Sequence, residues 1–190
     1  KSLKKVNIIF NNFYPSKFLN DLNYMKYKKL CDLSLEKIFV TLESIPSKKI
    51  NKIIYTSSSA VYGLSENLNN PKKDQYNREL YSSFKLTAEK IIMNYANKKN
   101  KNFYVMRLFN TYGNKEDSFS FIEKILRAKR ENTKITLIND GLSLRDFIHL
   151  DDIAKIYNIF LKKQFKKGIY DLGSGKGFLI KDLVRVSKIS

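Results

Sequence analysis

The chain has little of what stabilises secreted or membrane proteins. Cys31 is the only cysteine among 190 residues, so no disulfide can form within the chain. This cysteine usage is typical of a reducing compartment. No apolar run approaches the roughly 20 residues that cross a bilayer, and residues 1–6 show no signal peptide. We therefore expect a cytoplasmic protein that does not associate with membranes.

Histidine is equally scarce, because His149 is the only one in the chain. No second histidine or cysteine stands at a spacing that would complete a zinc site around it. The sequence therefore predicts no metal site, and we expect His149 to be a packed, structural residue.

Acidic residues are few relative to basic ones: 18 Asp and Glu against 36 Lys and Arg leave a net charge of +18. Such a charge can indicate nucleic acid or other anionic partners. However, 30 of the basic residues are lysines and only six are arginines, and the lysines are spread along the whole chain. Proteins that bind nucleic acid more often carry arginines and aromatic residues together on one face. We interpret the charge as compositional, and nucleic-acid binding is the least favoured alternative.

Short apolar runs alternate with amphipathic stretches, which predicts an α/β fold with a mostly parallel sheet. The predicted strands are 6–10, 53–56, 103–108, 135–138 and 169–172. The predicted helices are 22–45, 81–97, 118–130, 151–163 and 179–187. Between them we predict a polar loop at 64–78 and a turn at 139–141.

Tyr81 and Lys85 stand four residues apart at the start of a predicted helix, so they share one helix face. An ammonium beside a phenol favours the phenolate, so we expect Lys85 to lower the pKa of Tyr81. A phenol of this kind could exchange protons near neutral pH. The hydroxyl-rich residues 57–59 follow the preceding strand, at the end where parallel sheets bind ligands.

Five stretches together resemble the extended short-chain dehydrogenase/reductase family, the NAD-dependent epimerases and dehydratases of sugar nucleotides. In chain order these stretches are 53–63, 81–85, 107–113, 140–152 and 170–175. The resemblance implies an incomplete Rossmann-like, doubly wound parallel sheet with a small, interleaved C-terminal substrate-binding region. Residues 1–112 would be the C-terminal part of the NAD(P)-binding domain, and residues 113–190 would be a truncated substrate-binding region.

The resemblance also implies the site residues. The catalytic residues would be Ser58, Tyr81 and Lys85; the cofactor-binding residues Tyr81, Lys85 and Ser57; and the substrate-binding residues Ser58, Asn110 and Arg145. In the family, the tyrosine exchanges a proton with a sugar hydroxyl while hydride moves to or from nicotinamide. For Arg145, a salt bridge to Asp146 or Asp151 is the alternative to a phosphate contact.

The implied function is an NAD- or NADP-dependent epimerase or reductase of a sugar nucleotide, and the resemblance leaves a homodimer open. Dehydratases of the family place an Asp-Glu pair after the motif hydroxyl, where this chain has Ser59 and Ala60. We therefore predict that the reaction is not a 4,6-dehydration. A non-catalytic relative that binds nucleotide sugars is the main alternative.

The glycine-rich cofactor loop of the family is not found in this sequence. The stretch 173–177 has glycines after a predicted strand, but Phe178 stands where the third glycine of a dinucleotide loop belongs. In the resemblance, residues 6–10 correspond to the fourth strand of the domain. From this correspondence we expect a piece of a longer product, and a natural degenerate relative is the alternative. We also expect these 190 residues alone to bind NAD(P) weakly and to be inactive.

Overall fold

The computed structural model describes residues 4–11, 24–63, 73–113 and 120–187. The strands are β1 (Val6–Phe10), β2 (Ile50–Ser58), β3 (Asn102–Leu108), β4 (Asn110–Tyr112), β5 (Leu144–His149), β6 (Gly168–Leu172) and β7 (Gly177–Leu179). The helices are α1 (Tyr24–Ser44), α2 (Lys73–Lys98), α3 (Phe121–Glu131), α4 (Leu150–Lys162) and α5 (Ile180–Ser187). Among the described residues, no helix combines the length and the apolar character needed to cross a membrane.

The first compact unit comprises Lys1–Leu108 and Gln164–Asp171. Its sheet has the strand order β1-β2-β3-β6, and β2 is parallel to both β1 and β3. Strand β2 is buried from Lys52 to Ser57 without interruption, as expected for a central strand covered on both faces. The predicted α/β class with a Rossmann-like parallel sheet is confirmed.

An apolar core packs between one face of this sheet and the helices α1 and α2. Its members come from alternate positions of the strands and from one face of each helix: Ile8, Phe10, Ile38, Leu42, Ile50, Ile53, Tyr55, Ala88, Ile92, Ala96, Phe103 and Val105. Because Tyr55 belongs to this set, α2 lies directly over the carboxyl-terminal half of β2. This packing positions the candidate site.

The second compact unit comprises Phe109–Lys163 and Leu172–Ser190. It contains a small sheet of order β4-β5-β7, in which β5 is parallel to β4 and antiparallel to β7. This sheet was not predicted, because β4 and β7 are only three residues long and show no periodicity of their own. The assignment of domains to residues 1–112 and 113–190 stays a prediction.

Two predicted elements are wrong. Helix α2 begins at Lys73, so residues 73–78 are helical rather than part of a polar loop; they contain no Gly or Pro, and polarity alone does not prevent a helix. Residues 133–137 belong to no strand, and Ile138 opens a 3₁₀ turn with its side chain 86% exposed. Despite its apolar alternation, this stretch pairs with no strand within the described residues. Predictions for residues 22–23, 64–72 and 118–119 lie outside the described residues.

Candidate active site

Ser58 and Tyr81 meet where the end of β2 contacts α2. Ser58 is the last residue of β2, and its Oγ accepts a hydrogen bond from the backbone N–H of Ala60 at 3.2 Å. Ser82 on α2 donates to the carbonyl of Ala60 at 2.9 Å, which fastens the turn to the helix. Tyr81 and Ser58 share a side-chain hydrogen bond. The two predicted catalytic hydroxyls are therefore near enough for Ser58 to lower the pKa of Tyr81.

Lys85 lies one helical turn beyond Tyr81 and is buried, with 3% of its surface exposed. Its Nζ donates to the carbonyl of Thr56 at 3.0 Å and lies 5.3 Å from the ring centre of Tyr55 and 5.9 Å from that of Tyr81. Burial lowers the pKa of Lys85 to about 8, and the nearby negative charge of Glu89 offsets part of that effect. The third predicted catalytic residue thus joins the other two.

The predicted direction of the pKa shift of Tyr81 is wrong. Burial of the phenol raises the pKa of Tyr81, and the hydrogen bond with Ser58 offsets only part of this rise. The helical spacing correctly brings Lys85 beside the tyrosine ring, but a buried phenolate loses more solvation than its neighbours return. In this structure Tyr81 therefore holds its proton at neutral pH.

Next to these three residues lies a buried ion pair that was not predicted from the sequence. Glu89, one turn beyond Lys85 and 1% exposed, accepts hydrogen bonds from Arg107 Nη2 at 2.8 Å and from Arg107 Nε at 3.1 Å. These bonds raise the pKa of Arg107. Ser57 donates to the same carboxylate, so its hydroxyl is directed into the ion pair. Its predicted cofactor contact stays a prediction.

Arg107 connects the ion pair to the partly exposed edge of the site. Its guanidinium lies 4.6 Å from the ring centre of Tyr62, and the hydroxyl of Tyr62 donates to Asp171 at 2.8 Å. The sequence held one signal for this network, because Glu89 follows Lys85 at the helical spacing that places both on one face.

The hydroxyl of Tyr55 is the one buried side-chain polar atom for which the described residues supply no hydrogen-bond partner. Burial strongly raises the pKa of Tyr55, and Tyr81 and Glu89 add to the rise. At neutral pH this phenol is therefore neutral.

The predicted substrate residues Asn110 and Arg145 lie in the second unit, on the paired strands β4 and β5. The side-chain amide of Asn110 donates to the carbonyl of Asp146 at 2.8 Å, which holds the strand segment that carries Arg145. Arg145 is exposed. Within the described part of the chain, it forms no ion pair with Asp146 or Asp151.

The glycine-containing loop 173–177 is built around Asp146. The carboxylate of Asp146 accepts hydrogen bonds from the backbone N–H of Ser174 at 2.7 Å and of Gly175 at 2.8 Å. A Cβ at Gly173 would lie 2.5 Å from Asp146 Oδ2, so only glycine fits there. These backbone donors are satisfied by the protein, as expected for a structural loop rather than a phosphate site.

His149 is structural, as predicted. It caps α4, since its Nδ1 accepts a hydrogen bond from the backbone N–H of Asp151 at 3.2 Å. Its ring packs edge-on against Tyr112 with the ring centres 5.0 Å apart.

A sequence model of the NAD dependent epimerase/dehydratase family matches residues 34–173, a span that includes the Ser58, Tyr81, Lys85 and Arg145 positions. The chain belongs to the NAD-dependent epimerase/dehydratase family. The resemblance that the motifs carry is thereby confirmed.

Two relatives within this family show its range. The ADP-L-glycero-D-manno-heptose-6-epimerase of Brachyspira hyodysenteriae is 27% identical over 183 residues, which cover 90% of this chain and 53% of that protein. The dTDP-D-glucose 4,6-dehydratase of Dictyostelium discoideum is 27% identical over 145 residues, which cover 70% of this chain and 33% of that protein. The chain spans about half the length, or less, of the curated relatives it matches.

The fold agrees with that of solved epimerases. The UDP-N-acetylglucosamine 4-epimerase from Methanobrevibacter ruminantium M1, in complex with UDP-N-acetylmuramic acid, superposes with a TM-score of 0.70 at 22% identity. The match covers 90% of this chain and 55% of that one. At this identity the likeness establishes the fold alone.

Proposed function

We propose that the protein is an NAD(P)-dependent epimerase or reductase of a sugar nucleotide, with Ser58, Tyr81 and Lys85 as its catalytic residues. The observation that carries the proposal is the convergence of three side chains: the buried ammonium of Lys85 lies 5.9 Å from the ring centre of Tyr81, and Ser58 acts on the Tyr81 phenol. Membership of the family supplies the reaction class.

Each of these side chains has a task that its surroundings support. Tyr81 keeps its proton at neutral pH, so it can donate that proton to a carbonyl oxygen of the sugar. In the reverse direction the phenolate that remains after this donation takes a proton from a sugar hydroxyl, and the positive charge of Lys85 beside the ring stabilises that phenolate. Ser58, bonded to Tyr81, orients the reacting oxygen.

The donors at this site fit the nicotinamide half of a dinucleotide. The Lys85 ammonium and the Tyr81 hydroxyl can bind ribose hydroxyls at the carboxyl end of β2, where parallel sheets bind such ligands. When bound, the dinucleotide supplies the hydride acceptor at nicotinamide C4. The glycine-containing loop 173–177 does not offer the backbone N–H groups of Ser174 and Gly175 to a pyrophosphate, because both donate to Asp146.

We therefore expect the 190-residue chain to bind NAD or NADP weakly and to show no turnover by itself. Titration calorimetry with each dinucleotide measures this directly. Micromolar binding by the chain would show that the cofactor has an anchor elsewhere, and would contradict this part of the proposal.

The substrate is assigned from the second unit. The exposed guanidinium of Arg145, on a strand held by Asn110, suits a diphosphate, since a guanidinium can bind two phosphate oxygens at once. Several relatives are named for ADP-, dTDP- or UDP-linked sugars, which agrees with such a ligand.

The reaction is epimerisation or carbonyl reduction rather than 4,6-dehydration. The turn after Ser58 carries Ser59 and Ala60, and neither is a strong acid or base near neutral pH. Analysis of products from nucleotide hexoses by NMR tests this. Formation of a 4-keto-6-deoxy sugar would contradict it.

The variant Tyr81→Phe, made in the complete gene product, tests the catalytic assignment. We expect turnover to be lost while nucleotide-sugar binding is kept, because only the proton-carrying hydroxyl is removed. Tyr95→Phe is the matched control, since Tyr95 is on the same helix and its hydroxyl donates to the Leu42 carbonyl at 3.0 Å. Binding without turnover in the unaltered protein would instead favour the non-catalytic alternative.

A further inference from the structure

We propose that Glu89 and Arg107 are positioning residues: the buried carboxylate of Glu89, held by Arg107 and one helical turn from Lys85, acts on the Lys85 ammonium. The inference rests on the proposed function, because it assigns the pair to the lysine of that catalytic set. It concerns side chains to which neither the motifs nor the family match assigns a role.

The geometry of α2 puts three groups in a row. Tyr81, Lys85 and Glu89 are spaced by four residues, so they succeed one another along one face of the helix, above the end of β2. Lys85 and Glu89 are both almost fully buried. A buried charge is costly unless it is paired, so each needs the partners that the neighbouring strands supply.

Glu89 has more partners than a simple ion pair requires. Arg107 on β3 grips both carboxylate oxygens, and Ser57 on β2 donates to one of them. Such a set fixes the carboxylate in one orientation. Because Ser57 directly precedes Ser58, the same bonds also hold the strand end that carries the candidate catalytic hydroxyl.

Several groups on α2 and β2 lie around Lys85. On α2 it faces Tyr81 and Glu89; on β2 it faces the ring of Tyr55 and the carbonyl of Thr56. Arg107, on β3, reaches this group through Glu89. Both tyrosines are neutral at pH 7, so Glu89 is the only negative charge among these groups.

Removing the charge of Glu89 and removing the charge of Arg107 should shift the pKa of Lys85 in opposite directions. Without the charge of Glu89, Lys85 faces only burial and a second cation, so its pKa should fall further below 8. Without the charge of Arg107, the whole field of Glu89 acts on Lys85, so the pKa of Lys85 should rise. A pair too distant to act on the charge of Lys85 would produce neither shift.

Competitive labelling with acetic anhydride measures these shifts, because only a neutral amine reacts. The labelling of the Lys85 peptide is followed by mass spectrometry across pH 6 to 11 in the intact chain. For Glu89→Gln we expect the midpoint to fall by about one pH unit, which raises labelling at pH 7 about fivefold. For Arg107→Gln we expect the midpoint to rise.

Glu123→Gln is the matched control. Glu123 is also buried and also paired with an arginine, Arg130 Nη2 at 2.6 Å, but it lies on α3 in the second unit. This variant should leave the midpoint of Lys85 unchanged. If Glu89→Gln does not fold, Arg107→Gln carries the test, because its amide can still donate to Glu89 and stack on Tyr62.

An unchanged midpoint in Glu89→Gln, or in Arg107→Gln where only that variant folds, would overturn the inference, as would shifts of the same sign in both. The labelling needs no turnover, so the outcome is independent of the proposed function. If the midpoints shift but Tyr81→Phe keeps full turnover, the catalytic assignment fails and the pairing stands.

Discussion

The two compact units place their polar side chains in opposite environments. In the first unit, Lys85 and Glu89 are almost fully buried. In the second unit, Arg145 and Ser174 are exposed, although Asp146 beside them is only partly so. Burial brings the pKa of Lys85 closer to neutral pH, which suits the proton transfer that we propose for the first unit. Exposed positive charge suits the capture of an anionic ligand, which we propose for the second unit.

The same contrast separates the two buried glutamates. The side chain of Arg107, paired with Glu89, is 11% exposed, whereas that of Arg130, paired with Glu123, is 60% exposed. An ion pair taken out of water depends on both partners, while a pair open to water can replace one partner with solvent. The pair in the first unit should therefore be the more costly one to break.

The largest effect is expected at Tyr81. Tyr81→Phe should lower turnover about 10²–10⁴-fold, the usual contribution of a positioned acid or base. The affinity for a nucleotide sugar should stay within about twofold, since a lost transition-state contact leaves ground-state binding unaltered. Steady-state kinetics and calorimetry measure the two quantities. A loss of affinity equal to the loss of turnover would move Tyr81 from chemistry to binding.

Breaking the ion pair of the first unit should come next. Arg107→Ala leaves Glu89 buried without its main partner and should lower the free energy of unfolding by about 3–5 kcal/mol. Arg130→Ala should lower the free energy of unfolding by only about 1 kcal/mol, because the ion pair of Arg130 with Glu123 is open to water. Urea unfolding measures both. Equal losses in the two variants would remove the distinction between the pairs.

The pH dependence of stability tests the burial of Lys85. Its pKa is about 8 in the fold and returns to about 10.5 on unfolding, so between these values the unfolded chain binds one more proton. The folded protein should therefore gain stability relative to Lys85→Met as pH rises from 8 to 10.5, by about 3 kcal/mol in all. If the free energy of unfolding changed equally with pH in both proteins across this range, the lowered pKa of Lys85 would be contradicted.

The smallest effect is expected for the exposed arginine of the second unit. Arg145→Ala should weaken the affinity for a nucleoside diphosphate sugar about tenfold, or about 1.4 kcal/mol. Arg185→Ala is the control, since Arg185 is an exposed arginine of the same unit that is paired with Asp182. Calorimetry with UDP-glucose and ADP-glucose compares the two variants. Equal losses in both would show that only overall positive charge matters.

Much of the first unit could be predicted from local patterns. The bounds of β1 agree with the prediction residue for residue, and those of β3 to within one, because buried parallel strands are marked by continuous apolar runs. The meeting of Tyr81 and Lys85 followed from helical spacing. The proximity of Ser58 to Tyr81 was implied by the family resemblance.

Other features depend on partners that are distant in the chain. Arg107 stands 18 residues after Glu89, and nothing in the local sequence indicates that β3 brings its guanidinium under α2. Likewise Asp146 and Ser174 are 28 residues apart, and β4, β5 and β7 become a sheet only through pairing. In residues 135–138 the local pattern resembles a strand, but these residues pair with no strand within the described part of the chain.

The sequence by itself determined the order of elements in the first unit, the family, and the residue types at the candidate site, because these follow from short-range periodicity and motif spacing. Only the tertiary structure decided the protonation of that site. The spacing of Tyr81 and Lys85 predicts a lowered phenol pKa, but the packed core desolvates both groups and reverses the direction for the tyrosine. Solvation is a property of everything that surrounds a side chain, and that is assembled only when distant segments pack together.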